Sequence, residues 1–114
     1  MGVMARLRSL AGGDRVDTTV AVAATVNVPD STNLVYLTGT DTITSLLANP
    51  ATRNRQVIFI QNDSGTSTFQ NTDGPTTSGT MDLGGSNVAL GQNDVLTLFC
   101  RSDGTWVRVS SQNN

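Results

Sequence analysis

The 114-residue chain has no histidine, no lysine and no glutamate, and only one cysteine. Without histidine the commonest general base and the usual zinc ligand are missing. Nucleophiles that depend on a serine–histidine or cysteine–histidine pair are excluded with it. All nine acids are Asp and all seven bases are Arg; the missing Glu and Lys are among the better helix formers, so helix is poorly supplied. A single cysteine makes no internal disulfide, and Cys100, inside "LTLFC", reads as a small buried hydrophobe. No apolar run approaches the ~20 residues that span a bilayer. The opening "MGVMARLRSLAGG" lacks the uninterrupted apolar stretch of a secretion signal, and Arg6 breaks the pattern of a myristoylation signal. The expectation is an unprocessed soluble chain with no membrane partner. A net charge of −2 supplies no broad basic field for a nucleic-acid backbone, so nucleic acid is not expected as a partner either.

What fills the space is Thr, Val, Asn, Ser and Gly, β-branched residues punctuated by turn formers, which is the recipe for short strands joined by loops. At this length the chain is one domain, able to bury roughly 65% of its unfolded surface. Strands are expected over 33–38, 55–62, 67–71, 87–90, 94–101 and 105–111. They are bounded by turn signals such as Gly39, Asn49-Pro50, Asp63-Ser64-Gly65, Gly84-Gly85 and Asp103-Gly104. Such punctuation predicts an all-β fold, a single sandwich or jelly-roll-like domain over 29–114. "VIFI" (57–60) is apolar on consecutive residues, which predicts a central strand covered on both faces. "TITSLLANP" (42–50) suits one helical turn ahead of Pro50. Residues 71–80 suit an exposed, mobile loop.

Residues 1–28 read as an extended N-terminal arm that docks on a partner or exchanges between subunits. Within it Val3, Met4, Leu7 and Leu10 fall at helical spacing on one face, with Arg6 and Arg8 opposite, and Gly12-Gly13 ends the pattern. A helix this short is marginal alone in water. Its apolar stripe and its guanidinium groups, Val3, Met4, Arg6, Leu7, Arg8 and Leu10 together, suit docking in a groove with carboxylates at its rim. Residues 14–28 alternate small apolar residues with Thr and Ala and suit an extended strand, within one subunit or across two.

The C-terminal hairpin has a register that can be worked out from its turn. With a two-residue Asp103-Gly104 turn, partners sum to 207, so Cys100 faces Val107 and Leu98 faces Val109. One face is then Leu96, Leu98, Cys100, Val107 and Val109, which is core. The other carries Phe99, Arg101, Trp106 and Arg108, aromatics interleaved with guanidinium groups, the pairing enriched where proteins meet. A three-residue loop would flip one strand against the other and mix the faces.

Catalytic chemistry is not indicated. Most Asp residues, including Asp63, Asp73, Asp94 and Asp103, stand beside Gly, Asn or Ser at expected turns, where the carboxylate bonds the backbone. "LGGSN" (83–87) has no lysine or helix behind it, so it is no phosphate loop. Loop oxygens show no calcium-site spacing. The expectation is no enzyme, no catalytic residue, no metal and no cofactor.

The succession "DTITSLLANP", "RQVIFIQND", "TFQN", "GGSNVAL" and "GQNDVLTLFCRSDGTWVRVSS" resembles a β module of tailed-bacteriophage structural proteins, found at the ends of fibres and in small capsid decoration proteins. That module runs from an I-T-S-like turn through an apolar strand and an N-[IV]-x-L strand to G-D-x-L-x-L, a D-G turn and a tryptophan strand. The resemblance covers residues 41–111. Asn93-Asp94 stands here in place of Gly-Asp, and Arg108 where the family is often acidic. The resemblance implies a virion structural protein made in the host cytoplasm, a homotrimer, with the hairpin face of Phe99, Arg101, Trp106 and Arg108 as subunit interface. It also implies a capsid decoration or cement protein on the outer capsid surface, its arm held by the major capsid protein and the head stabilised. The alternative it leaves open is a head- or tail-fibre module binding a host receptor or glycan through Trp106 and polar loops. An accessory inhibitor or regulator is a third reading. A short arm directly behind Met1, with no long shaft, favours decoration.

Overall fold

Three successive stretches of chain lie over one another as coils, each placing a strand beside its counterpart in the last. A computed structural model of the protein describes residues 16–114. β1 (Val16–Ala21) and β2 (Thr25–Val28) form the first coil. β3 (Thr32–Thr38), β4 (Asp41–Ile43) and β5 (Ser45–Ala48) form the second. β6 (Arg55–Gln61) and β7 (Ser67–Phe69) begin the third. β1, β3 and β6 run parallel side by side, as do β2 with β5 and β4 with β7. Then the chain reverses. β9 (Val88–Leu90) is antiparallel to β7, β10 (Val95–Cys100) is antiparallel to β6, and β11 (Trp106–Gln112) returns along β10. β8 (Met81–Asp82) adds a short parallel edge to β11. The largest sheet therefore has the order β1-β3-β6-β10-β11-β8.

The fold is all-β, with no α-helix among the described residues, but the arrangement is β-solenoid-like and not the expected jelly-roll sandwich. Parallel strands ordinarily need a crossover of a dozen or more residues. Here the rest of each coil is the crossover. Backbone bonds tie coil to coil at the corners: Thr44 and Ser45 N–H donate to Ala24 O, and Gln70 N–H donates to Ile43 O. Residues 16–28, expected to belong to an arm, are thus part of the body. The helical turn expected ahead of Pro50 is strand β5; a single 3-10 turn follows instead, Pro50–Thr52, where Asn49 Oδ1 accepts from Ala51 and Thr52 N–H. Residues 71–80 are exposed at their tip but anchored, since Gly79 is buried, donates to Gly104 O and accepts from Leu46 N–H.

The core fills the inside of the coils. Val35 and Leu37 from β3, Val57 and Phe59 from β6, and Leu96, Leu98 and Cys100 from β10 alternate inward against Ile43, Leu46, Phe69 and Leu90 from the smaller sheets. Phe59 stands edge-on to Phe69 with ring centroids 5.3 Å apart, and edge-on to Trp106 at 6.2 Å. Fully burying each such side chain stabilises the fold by about 1.5–3 kcal/mol. The buried polar groups are paired where they meet at a corner: Gln61 donates its amide to Gly39 O and Asp63 Oδ1 and accepts from the Ser67 hydroxyl.

Candidate interaction surface

The hairpin that was to supply an interface has a different register from the one a two-residue turn dictates. Arg101 N–H donates to Thr105 O and Gly104 N–H to Arg101 O, closing a three-residue loop of Ser102, Asp103 and Gly104. Gly104 takes the left-handed conformation at φ +85° that ends such loops. Asp103 Oδ1 accepts from both the backbone N–H and the hydroxyl of Thr105. Cys100 then faces Trp106, Phe99 faces Val107 and Leu98 faces Arg108. The odd loop shifts β11 by one residue, and a one-residue shift turns every side chain to the opposite face. A bulge at Thr97/Leu98 leaves Val109 unpaired and restores the original phase from Ser110 onward.

This register corrects part of the expected interface. Trp106 is not on the outer face: its side chain is 0% exposed, and its indole N–H donates to Leu46 O at 2.8 Å. It cannot meet a neighbour unless the core opens. Val107 and Val109, expected in the core, are half-buried on the outer face and 50% exposed at the bulge, respectively. Phe99 and Arg101 lie on the outer side, both half-buried. Arg108 is exposed at the β11 edge, its guanidinium passing over Gly84. Val3, Met4, Arg6, Leu7, Arg8 and Leu10 lie outside the described residues.

Beyond the hairpin, the outer side of the large sheet carries apolar side chains on β3, β6 and β10. In β3, β6 and β10 the residues between the inward ones are also apolar, except for Thr97. Leu34 lies beside Ile58, Tyr36 beside Ile60, and Ile60 beside Val95. Thr97 and Phe99 continue the surface toward Val107. Only Leu34 is buried; Tyr36, Ile58, Ile60, Val95, Thr97, Phe99 and Val107 keep part of their surface in solvent. Consecutive apolar residues in "VIFI" signalled this face in the sequence; Val57 and Phe59 are buried, and Ile58 and Ile60 on the outer side are half-buried. The signal missed was the non-adjacent one: only the parallel pairing of β3 with β6 sets Leu34 and Tyr36 on the same surface.

The titratable groups serve turns. Asp63 accepts from the N–H groups of Gly39 and Gly65 and from the Gln61 amide, and these bonds, Gly65 first, hold its carboxyl below the usual carboxylate range. Asp94 accepts from Gly91 N–H, and Asp41 from Thr42 N–H. Asp103 is likewise lowered, first by the Thr105 hydroxyl and then by the Thr105 N–H. Burial pushes the Cys100 thiol up, consistent with its place in the core. Among the described residues there is no cavity and no group of three His, Cys, Asp or Glu side chains placed to hold a metal. None of their helices is long and apolar enough to cross a membrane. No protein-family model, no curated protein and no solved structure matches the chain.

Proposed function

We propose that the chain is a non-enzymatic virion structural protein of a tailed bacteriophage. In this reading it is a decoration or cement protein that sits on the outer capsid surface as a homotrimer, contacts the major capsid protein and stabilises the head. The observation that carries it is that the sequence elements resembling the phage module coincide with the residues that determine this fold. Ile43-Thr44-Ser45 is the corner between β4 and β5, bonded to the coil before it. Asn87 accepts from Asn71 N–H through its side chain, and Leu90, at the end of the same segment, is buried. Leu96, Leu98 and Trp106 are core, and Asp103-Gly104 builds the hairpin loop. A motif made of corner and core residues specifies a scaffold. The carboxylates that hold the turns fit the same role.

The alternative, a fibre module binding a receptor or glycan, leaned on Trp106 as its stacking platform. Enclosure of that side chain removes the anchor, so decoration is the reading we keep. The N-terminal segment supplies its docking element: an apolar stripe of Val3, Met4, Leu7 and Leu10 beside Arg6 and Arg8, in a chain with more acids than bases. Deleting residues 2–13 is expected to leave a folded, strand-rich body and abolish binding to purified heads that lack the protein. Arg6→Asp with Arg8→Asp is expected to weaken binding, and high salt to do so in part, because exposed ion pairs are screened. Truncated protein that decorates heads at full occupancy would move the contact to the body.

A further inference from the structure

The first coil leaves a strand edge open. β1 stands at one end of the six-strand order, with β3 as its only neighbour among the described residues. Val22 N–H donates to Thr38 O at 2.8 Å, and this bond fixes the phase of the strand. Successive residues turn N–H and C=O to opposite sides, so those of Asp17, Thr19 and Ala21 are directed away from β3. The side chains of these three residues are exposed, while Val20 and Val22 are half-buried against the core. The edge thus has a backbone ladder to complete and an apolar end of the core beside it. Strand edges of this kind are normally covered, and the end of a stack of coils needs a cap.

We infer that residues 5–10 of the same chain, which lie outside the described residues, close this edge as a strand antiparallel to β1. The segment contains no proline and alternates Ala5, Leu7 and Ser9 with Arg6, Arg8 and Leu10. With Gly13-Asp14 as a two-residue turn, glycine at the first position as a type II′ turn requires, partners sum to 27. Gly12 and Arg15 then exchange both backbone bonds, and so does every second pair beyond them: Leu10 with Asp17, Arg8 with Thr19 and Arg6 with Ala21. Asp17, Thr19 and Ala21 are the residues of β1 whose backbone groups are directed away from β3. The pairs between them set Ser9 beside Thr18, Leu7 beside Val20 and Ala5 beside Val22, so apolar meets apolar at the end of the core. Arg6 and Arg8 turn outward, and Arg8 stands diagonal to the Asp17 carboxylate, within reach of a long side chain. Two neighbouring turns do not fit. Gly12-Gly13 would direct the bonds to Thr18 and Val20, whose backbone groups face β3. A three-residue loop of Gly12, Gly13 and Asp14 would keep the phase but turn Arg6 and Arg8 inward onto Val20 and Thr18. A strand laid on a formed edge avoids the nucleation cost that makes a two-turn helix marginal, and its tether to β1 gives it an effective concentration that no separate partner matches. The inference stands apart from the virion reading, since it concerns the chain away from any particle: a chain absent from particles would end that reading and leave this one intact.

The test is amide hydrogen exchange of the full-length protein, followed residue by residue by NMR at two protein concentrations. The N–H groups of Asp17, Thr19 and Ala21 are expected to exchange about tenfold or more slower than in protein lacking residues 2–13. Val22 N–H, bonded to Thr38 O, should stay protected in both and so report that the body is folded. Leu7→Asp, which sets a charge against Val20, is expected to return the three amides to the fast exchange of the truncated protein. Fast exchange of these amides in the full-length protein would overturn the inference, as would protection that survives the deletion or Leu7→Asp. Protection that grows with protein concentration would also overturn it, because the edge would then be held by a second copy.

Discussion

Trp106 ties three parts of the molecule together through one side chain. Its ring packs edge-on to Phe59, its indole N–H reaches Leu46 O on β5, and its backbone N–H donates to Thr80 O. Trp106→Ala is expected to destabilise by about 3–5 kcal/mol, a large share of the ~5–15 kcal/mol that holds a domain together. Trp106→Phe keeps most of the volume but leaves the Leu46 carbonyl without its donor, for a loss of about 1–3 kcal/mol. Urea unfolding measures both, and a Trp106→Ala protein as stable as wild type would return the ring to the surface. Asp63 makes a second prediction at this scale. A carboxyl whose folded-state pKa is depressed contributes stability above its unfolded value, near 3.9, and loses that contribution as the pH falls through the lower folded value. The wild-type melting temperature should therefore drop as the pH falls below about 4. Asp63→Asn should melt lower at pH 7 and show a flatter decline across that acid range, with Asp103 accounting for part of the slope that remains. Equal acid slopes in the two proteins would show that the bonds from Gly65, Gly39 and Gln61 do not favour the carboxylate.

The corner between coils carries its own test. A Cβ on Gly65 would collide with the backbone oxygen of Gly39, which belongs to no side chain that can move aside. Gly65→Ala should therefore push the β6–β7 corner away from the β3–β4 corner and break the Asp63 bonds to Gly39, lowering the melting temperature well beyond the effect of Asp63→Asn. An unchanged melting temperature would mean the coils are not stacked this closely. Most elements were legible at this level, because strand length, β-branching and turn residues are local properties: β3, β6, β7, β9, β10 and β11 fall within a residue or two of where the sequence places them. Their partners were not legible. Parallel pairing of Leu34 with Ile58 or of Asp41 with Ser67 leaves no local mark. The hairpin register turned on whether Asp103-Gly104 closes a two- or a three-residue loop, and the sequence fits both. That single residue of difference moved Trp106 from the expected interface into the core and left Phe99 and Arg101 outside.

At the scale of the whole molecule, the coils make a body with a packed interior. The described residues carry the bases Arg53, Arg55, Arg101 and Arg108. Three of the seven arginines, Arg6, Arg8 and Arg15, lie ahead of the first strand. Positive charge is thus concentrated in the segment assigned to docking, while the body carries most of the Asp residues and spends several of them on turns. That division suits a protein held to a larger assembly by its N-terminal segment. The most direct test is the protein content of purified particles produced by the genome that encodes the chain, with copy number measured by quantitative mass spectrometry against the major capsid protein. The account predicts that the chain is present in a fixed, symmetry-related ratio to the capsid subunit and that the ratio falls when residues 2–13 are removed. Particles that contain none of it, while the cell that made them contains it in quantity, would contradict the account.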